Sequence, residues 1–370
     1  MKLLTYDPGT GPRAGVLQDT DIVDATALLG ADHTLRDVRA LLECSDDAVA
    51  RVSDALGRVP APRVPLDRVR LRAPILQPPT VRDHIAFEEH ATGQWTRESS
   101  GPRMEVWARL PIFYFSNPLR IMGPEEVVPY PAATRQLDYE CELAVVIARD
   151  GSNVLERDAD RYIAGFTIFN DWSCRDLQAD ESRFGLGPAK GKDAASSLGP
   201  WIVTRDEMAP YYRDGTLQVQ CTVRVNGVVW MEGNAWNMHH TFGAMLERAS
   251  QDSRVVPGDV IASGTVGGGS ISEAARKGYP ARWLQPGDTV EIEVEGIGIL
   301  RNTLGPSSNP NQHLRFTAPA QRPLPEPLSA EQLETVRART APPRVRPPSH
   351  RHPASGRRPT GASCIPSRRS

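Results

Sequence analysis

Cysteine is scarce in this 370-residue chain, and what there is forms no pattern. The five cysteines are Cys44, Cys141, Cys174, Cys221 and Cys364, an odd number with no C-x-x-C pair. That excludes a disulfide framework or a zinc ribbon as the organising principle and points to a reduced, cytoplasmic setting. No run of about 18 apolar residues occurs, so no membrane span is expected. The opening Met-Lys-Leu-Leu-Thr-Tyr-Asp meets charge by residue 7 and has no apolar core, so no signal peptide is expected. Excess charge of either sign is also missing, since the formal net charge is -2. The balance is uneven, however. From Pro306 onward there are 11 Arg and no Lys against 3 Glu and no Asp, an excess of eight positive charges. The residues before Pro306 therefore carry about ten net negative charges, which suits holding cations and argues against a nucleic-acid partner.

Hydrophobic content of 39% and charged content of 24% fit a globular protein. Three segments are expected. Residues 1–73 read as a small α/β unit, with short strands at Lys2 to Tyr6, Arg13 to Leu17 and Asp21 to Asp24, then a helical stretch from Thr34 to Leu56. Residues 74–305 read as the main domain. Its Val- and Ile-rich runs at Leu143 to Ala148, Ile163 to Asn170, Leu217 to Val225, Val260 to Ser263 and Thr289 to Val294 are strand-like. Asn226-Gly227, Pro257-Gly258-Asp259 and Pro286-Gly287-Asp288 mark turns. Helices are expected over Val81 to Thr92, Ser173 to Glu181 and Met238 to Ala249. Irregular strand spacing with few helices argues for an α+β fold, mainly β, mixed or antiparallel. Residues 306–370 hold 13 of the 33 prolines and few aliphatics, the composition of a disordered tail.

The chemistry begins in Asp138-Tyr139-Glu140-Cys141-Glu142. Side chains two apart on a strand share a face, so Glu140 and Glu142 stand side by side, roughly 6 to 7 Å apart. Like charges so placed raise each other's pKa unless a cation lies between them. A second apolar run, Ile163 to Asn170, ends in Asp171, where either a helix cap or a rigidly held functional carboxylate is expected. Three carboxylates without His or Cys companions make an oxygen-only site suited to Mg²⁺, Mn²⁺ or Ca²⁺.

The runs D-Y-E-C-E-L-A-V-V-I, F-N-D-W-S-C-R-D-L-Q, G-P-A-K-G-K-D and S-L-G-P-W resemble the fumarylacetoacetate hydrolase family, in this order and over roughly Arg82 to Leu304. The resemblance implies a mixed β-sandwich roll and a homodimer. It implies that Glu140, Glu142 and Asp171 hold a divalent metal, with Asp83 as a fourth ligand. His90, seven residues after Asp83, matches the catalytic histidine, and Glu273 in G-S-I-S-E matches its partner. Lys192, nine residues before Trp201, matches the catalytic lysine, with Lys190 as the rival. Arg175, Gln178, Tyr114 and Thr265 match substrate-facing positions. Glu88 and Glu89 are alternatives to the His90 pair, because smaller members place a Glu–His pair on a mobile lid helix. The implied reaction is hydrolysis of a C–C bond in an acylpyruvate- or fumarylpyruvate-like 2-oxo acid. The alternative is a decarboxylase, hydratase or isomerase using the same enolate. Two positions depart from fumarylacetoacetase: Ile85 stands where it has tyrosine, and Ser99 where it has arginine. The polar segment from Ala91 to Arg109 is long enough to form a lid.

Overall fold

Strict alternation along one strand organises the molecule. In Cys141–Ile147 the odd positions, Cys141, Leu143, Val145 and Ile147, enter one hydrophobic cluster with Phe166, Trp172 and Phe242. The even positions Ala144 and Val146 enter another with Leu3, Val38, Phe169 and Ile202. All seven residues are buried, as in a central strand covered on both faces. The flanking strands repeat this. Ile163–Asp171 is buried along its whole length and pairs antiparallel with Cys141–Ile147 on one side and Ser196–Thr204 on the other.

The computed structural model describes residues 1–93, 97–276 and 282–309, together with Ser329 and Glu331. The tail expected from residue 306 therefore lies outside the described residues beyond Asn309, those two positions apart. Among the described residues, the main sheet has twelve strands and is mixed. Its centre runs Ser196–Thr204, Ile163–Asp171, Cys141–Ile147, Val260–Ala262, Val81–His84, Phe113–Ser116. The N-terminal strands extend this same sheet, because Lys2–Asp7 pairs antiparallel with Ser196–Thr204. A second, five-stranded sheet holds Val228–Asn234, Gln220–Val225, Thr289–Val294, Gly298–Gly305 and Val127–Pro129. Thr289–Val294 alternates buried with half-buried residues, so Val290, Ile292 and Val294 face the core. Asn226-Gly227 makes the expected hairpin turn, both residues in the left-handed region. The α+β, mainly β architecture expected from the sequence is the one observed.

Three helical expectations need correction. Val81 to Thr92 is not one helix: Val81–His84 is a strand, parallel to Val260–Ala262 and antiparallel to Phe113–Ser116, and helix covers only Glu88–Gly93. Val81 and Ile85 have helical spacing, but the two neighbouring strands supply ladder hydrogen bonds that a helix would forgo. The stretch from Thr34 to Leu56 is two short helices, Val38–Leu42 and Ala48–Ala55, each preceded by an aspartate at the N-cap position. Near Met238 the helix begins at Phe242, because Thr241 caps it by accepting from Ala244 N–H. Among the described residues no helix is long and apolar enough to cross a membrane.

Candidate active site

The face that carries Ala144 and Val146 also carries Glu142, one step before the apolar run, and Glu140 before that. Asp171 follows Phe169 by two, and Asp83 follows Val81 by two; Phe169 and Val81 belong to that same cluster. The same alternation on three strands thus aims four carboxylates at one point. Asp83, Glu140, Glu142 and Asp171 are all buried, and each offers an oxygen within 4.8 Å of the others. The strand between Glu142 and Asp83 ends at Ala262, where Ser263-Gly264-Thr265 turns away. A side chain at Gly264 would put its Cβ 2.3 Å from the His84 carbonyl, and φ is +76°.

Lys192, in a short helical turn at Lys190–Lys192, sends its ammonium to Glu140 Oε2 at 2.5 Å and Asp171 Oδ2 at 2.7 Å. Lys190 points away, exposed and paired with Asp193. Arg175 donates to Glu140 Oε1 at 2.7 Å, Asp138 Oδ2 at 2.8 Å and Gln178 Oε1 at 2.9 Å. Tyr114 donates its hydroxyl to Asp83 Oδ2 at 2.7 Å and also contacts Asp171. These donors leave Asp83 Oδ1 and both oxygens of Glu142 buried with no hydrogen-bond partner. A buried, unpartnered carboxylate is costly enough that the group protonates or takes a cation.

The electrostatics agree. Burial first, then the Asp83 charge, pushes Glu142 far above the ordinary carboxylate range. Burial and then the Asp171 charge push Asp83 up to about 8. Burial raises Asp171 as well, against the pull of Lys192. For Glu140 burial also acts upward, but the Lys192 and Arg175 charges outweigh it and hold the group below its usual range. Two cations cannot balance Asp138 and the four carboxylates together. Adding a divalent cation between Asp83, Glu140, Glu142 and Asp171 closes most of that deficit, so the residues present fit a hard metal ion.

His90 sits on the Glu88–Gly93 helix, buried, with Nδ1 3.3 Å from Glu273 Oε1 and Nε2 4.0 Å from Glu140 Oε1. Glu273 lies in the first turn of the Ile271–Arg276 helix. Glu88 and Glu89 are exposed, with the Glu89 carboxylate against Gly267, and neither lines the cavity. A cavity of about 400 Å³ opens over the carboxylates, with His90, Gln178, Lys192 and Thr265 in its wall. Thr265 lines the cavity, and its hydroxyl is buried without a protein partner.

The structure thus gathers ten of the expected residues: Asp83, His90, Tyr114, Glu140, Glu142, Gln178, Lys192 and Thr265 line one cavity, with Asp171 completing the carboxylate cluster and Glu273 behind His90. Arg175 lies behind Glu140 and Gln178. Three acceptors take up its guanidinium, so it holds Glu140 and Gln178 in place from beside the cavity. Sequence reasoning missed Asp138 as a functional residue. It pairs with Arg175 and accepts from the backbone N–H groups of Ile271 at 2.7 Å and Ser272 at 3.1 Å, tying the start of the Glu273 helix to the metal-ligand strand. Its signal was present: Asp138, Glu140 and Glu142 share one strand period. His84 was missed too. It lines the cavity, and burial pushes its pKa down to about 3, so its ring is neutral.

Fold and site together define a β-rich protein with a buried carboxylate cluster able to hold a metal ion and a His–Glu pair beside it. Residues 80–305 match the family described as fumarylacetoacetate (FAA) hydrolase, C-terminal, and the chain belongs to that family. A fumarylacetoacetate hydrolase domain-containing protein 2 homolog of Dictyostelium discoideum is 30% identical over 82% of this chain and 97% of its own length. The oxaloacetate tautomerase YisK of Bacillus subtilis is 32% identical over 65% of this chain and 74% of its own. Among solved structures, the fumarylacetoacetate hydrolase of psychrophilic Exiguobacterium antarcticum superposes with a TM-score of 0.63 at 27% identity, covering 83% of this chain and 99% of that one.

Proposed function

We propose that this enzyme forms the enolate of a small 2-oxo acid and that it does so while cleaving a C–C bond with water. The observation that carries this reading is the buried His90–Glu273 pair beside the four-carboxylate cluster. Asp83, Glu140, Glu142 and Asp171 would hold Mg²⁺ or Mn²⁺, which when bound supplies Lewis-acid polarisation of the 2-oxo carbonyl. Glu273 Oε1, 3.3 Å from His90 Nδ1, would orient the ring and leave Nε2 as the base. His90 takes a proton from water, and the hydroxide attacks the distal carbonyl. The C–C bond breaks, its electron pair stays on the 2-oxo acid fragment as the enolate, and His90 returns the proton to that carbon. Lys192 and the Thr265 hydroxyl stand where the developing oxyanion can be met by fixed donors.

The similarity to an oxaloacetate tautomerase favours a second reading. There His90 would carry the proton between carbon and oxygen of the same enolate, with no water attack. A panel of acylpyruvates and of oxaloacetate, assayed with Mg²⁺ and Mn²⁺, separates the two. Pyruvate plus a carboxylic acid in equal amounts is the hydrolytic result. Decay of the enol absorbance of oxaloacetate with no new product is the tautomerase result and overturns hydrolysis. Release of CO₂ overturns both.

The same reading makes the protein a homodimer. Large apolar side chains left in the open, such as Leu119 and Phe115, support it.

A further inference from the structure

The Arg175–Phe184 helix is polar, and none of its apolar residues is fully buried. Burial of an apolar face therefore does not explain why it stands beside the site. Its polar face does. Residues three apart on a helix are neighbours on its surface, and Arg175, Gln178 and Glu181 follow that spacing. Arg175 donates to Glu140, and Gln178 lines the cavity. Glu181 turns to the chain that comes back from the end of the helix.

That returning chain carries Lys192. Gly185, in the left-handed region at φ +83°, ends the helix. Three of the eight residues from Gly185 to Lys192 are glycine, so the backbone itself does little to fix the lysine. The Glu181 carboxylate accepts from three successive backbone N–H groups in this stretch. Ala189 donates to Oε2 at 2.8 Å, Lys190 to Oε1 at 2.6 Å and Gly191 to Oε2 at 3.2 Å. These are the orphan donors at the start of the Lys190–Lys192 turn, where a negative charge is favoured. The stretch also lies close on the helix. A Cβ at Gly187 would stand 2.7 Å from the Glu181 Cβ, and one at Gly191 would stand 2.9 Å from the Gln178 Cα. At the far end of the turn the buried Lys192 ammonium meets Glu140 and Asp171.

From this we infer that Glu181 is the positioning residue for Lys192. Its carboxylate caps the turn and so sets where the ammonium stands against Glu140, Asp171 and the developing oxyanion. The oxyanion part rests on the reaction proposed above, whereas the placing of Lys192 against the two carboxylates does not.

The test is amine acetylation of the full-length protein with Mg²⁺ present, followed residue by residue by mass spectrometry. Lys190, on the same turn, and Lys2, on a strand of the main sheet, are internal references. In the wild type Lys192 is expected to react far more slowly than Lys190, because its side chain is 5% exposed against 74%. Glu181→Gln keeps the shape and removes the charge. It is expected to raise the Lys192 rate by about 10- to 100-fold, the loosening that loss of a charge-assisted hydrogen bond gives, with Lys2 and Lys190 unchanged. Glu181→Asp, which keeps the charge on a shorter arm, is expected to recover part of the protection, and it carries the test if Glu181→Gln does not fold. During turnover of a 2-oxo acid, Glu181→Gln is expected to lower kcat with KM little changed, because Lys192 meets charge that develops in the reaction. An unchanged Lys192 rate overturns the assignment and leaves the 2-oxo acid reading standing. An equal rise at Lys2 also overturns it, since that marks general loosening. A faster Lys192 with unchanged kcat upholds the positioning by Glu181 and overturns the part given to Lys192 in the proposed reaction.

Discussion

Glu142 and Asp83 carry the strongest consequence at the scale of single residues. Both are buried carboxylates raised above their ordinary range, and the Asp83 value lies at about 8. Without metal the folded protein therefore binds protons that the unfolded chain has released. Stability from this source is present below the ordinary carboxylate pKa of about 4 and is lost as pH rises through about 8. Two outcomes are expected. The metal-free protein melts at lower temperature as pH is raised from about 5 to 8, and Mg²⁺ reverses the loss; a thermal melt series at fixed ionic strength reads this. Mg²⁺ affinity rises over the same range, and binding at pH 7 releases protons, since the ligands must be ionised. Calorimetry in buffers of different ionisation enthalpy counts them, and no release would contradict the carboxylate assignment. His90 gives a separate outcome. His90→Ala is expected to lower kcat by about 10²- to 10⁴-fold while changing Mg²⁺ affinity far less, because the imidazole is not one of the four carboxylates and reaches Glu140 Oε1 only at 4.0 Å. Normal turnover in that variant would remove His90 from the chemistry.

At the scale of elements, Asp138 joins three parts of the site: the strand bearing Glu140 and Glu142, the Arg175–Phe184 helix through Arg175, and the Ile271–Arg276 helix through two backbone N–H groups. Asp138→Asn keeps the shape and loses the charge that holds Arg175. The expected result is a roughly 10- to 100-fold loss of metal affinity or of activity, as for other groups that orient ligands from behind. Gly264→Ala tests the turn that separates Glu142 from Asp83. Its Cβ would meet the His84 carbonyl, so the turn must move, and both the melting temperature and the kcat are expected to fall. These elements were unevenly legible in the sequence. The Glu140–Glu142 pair and the strand behind it followed from alternation alone. The strand at Val81–His84 did not, because its apolar spacing also fits a helix and its two partners come from elsewhere in the chain.

Across the whole molecule, the exposed Phe115 lies on the edge strand of the main sheet, next to Tyr114, which faces the site. A dimer that covers this edge is expected in light scattering at micromolar protein, and Phe115→Glu is expected to shift the mass toward that of the monomer. A monomeric wild type would contradict the dimer. The chemistry of the site was written locally. Residues two apart on a strand share a face whatever the rest of the chain does, so Asp138, Glu140 and Glu142 had to point together, and Asp171 had to follow Phe169. Asp83, Lys192, His90 and Glu273 had their roles only by resemblance, since nothing near each of them in the chain reveals its partner. The tertiary structure decided that Lys192 and not Lys190 meets the carboxylates and that Arg175 turns to Asp138. Those choices depend on strands and loops far apart in sequence being brought together by the burial of their apolar faces, a long-range energy that no local period encodes.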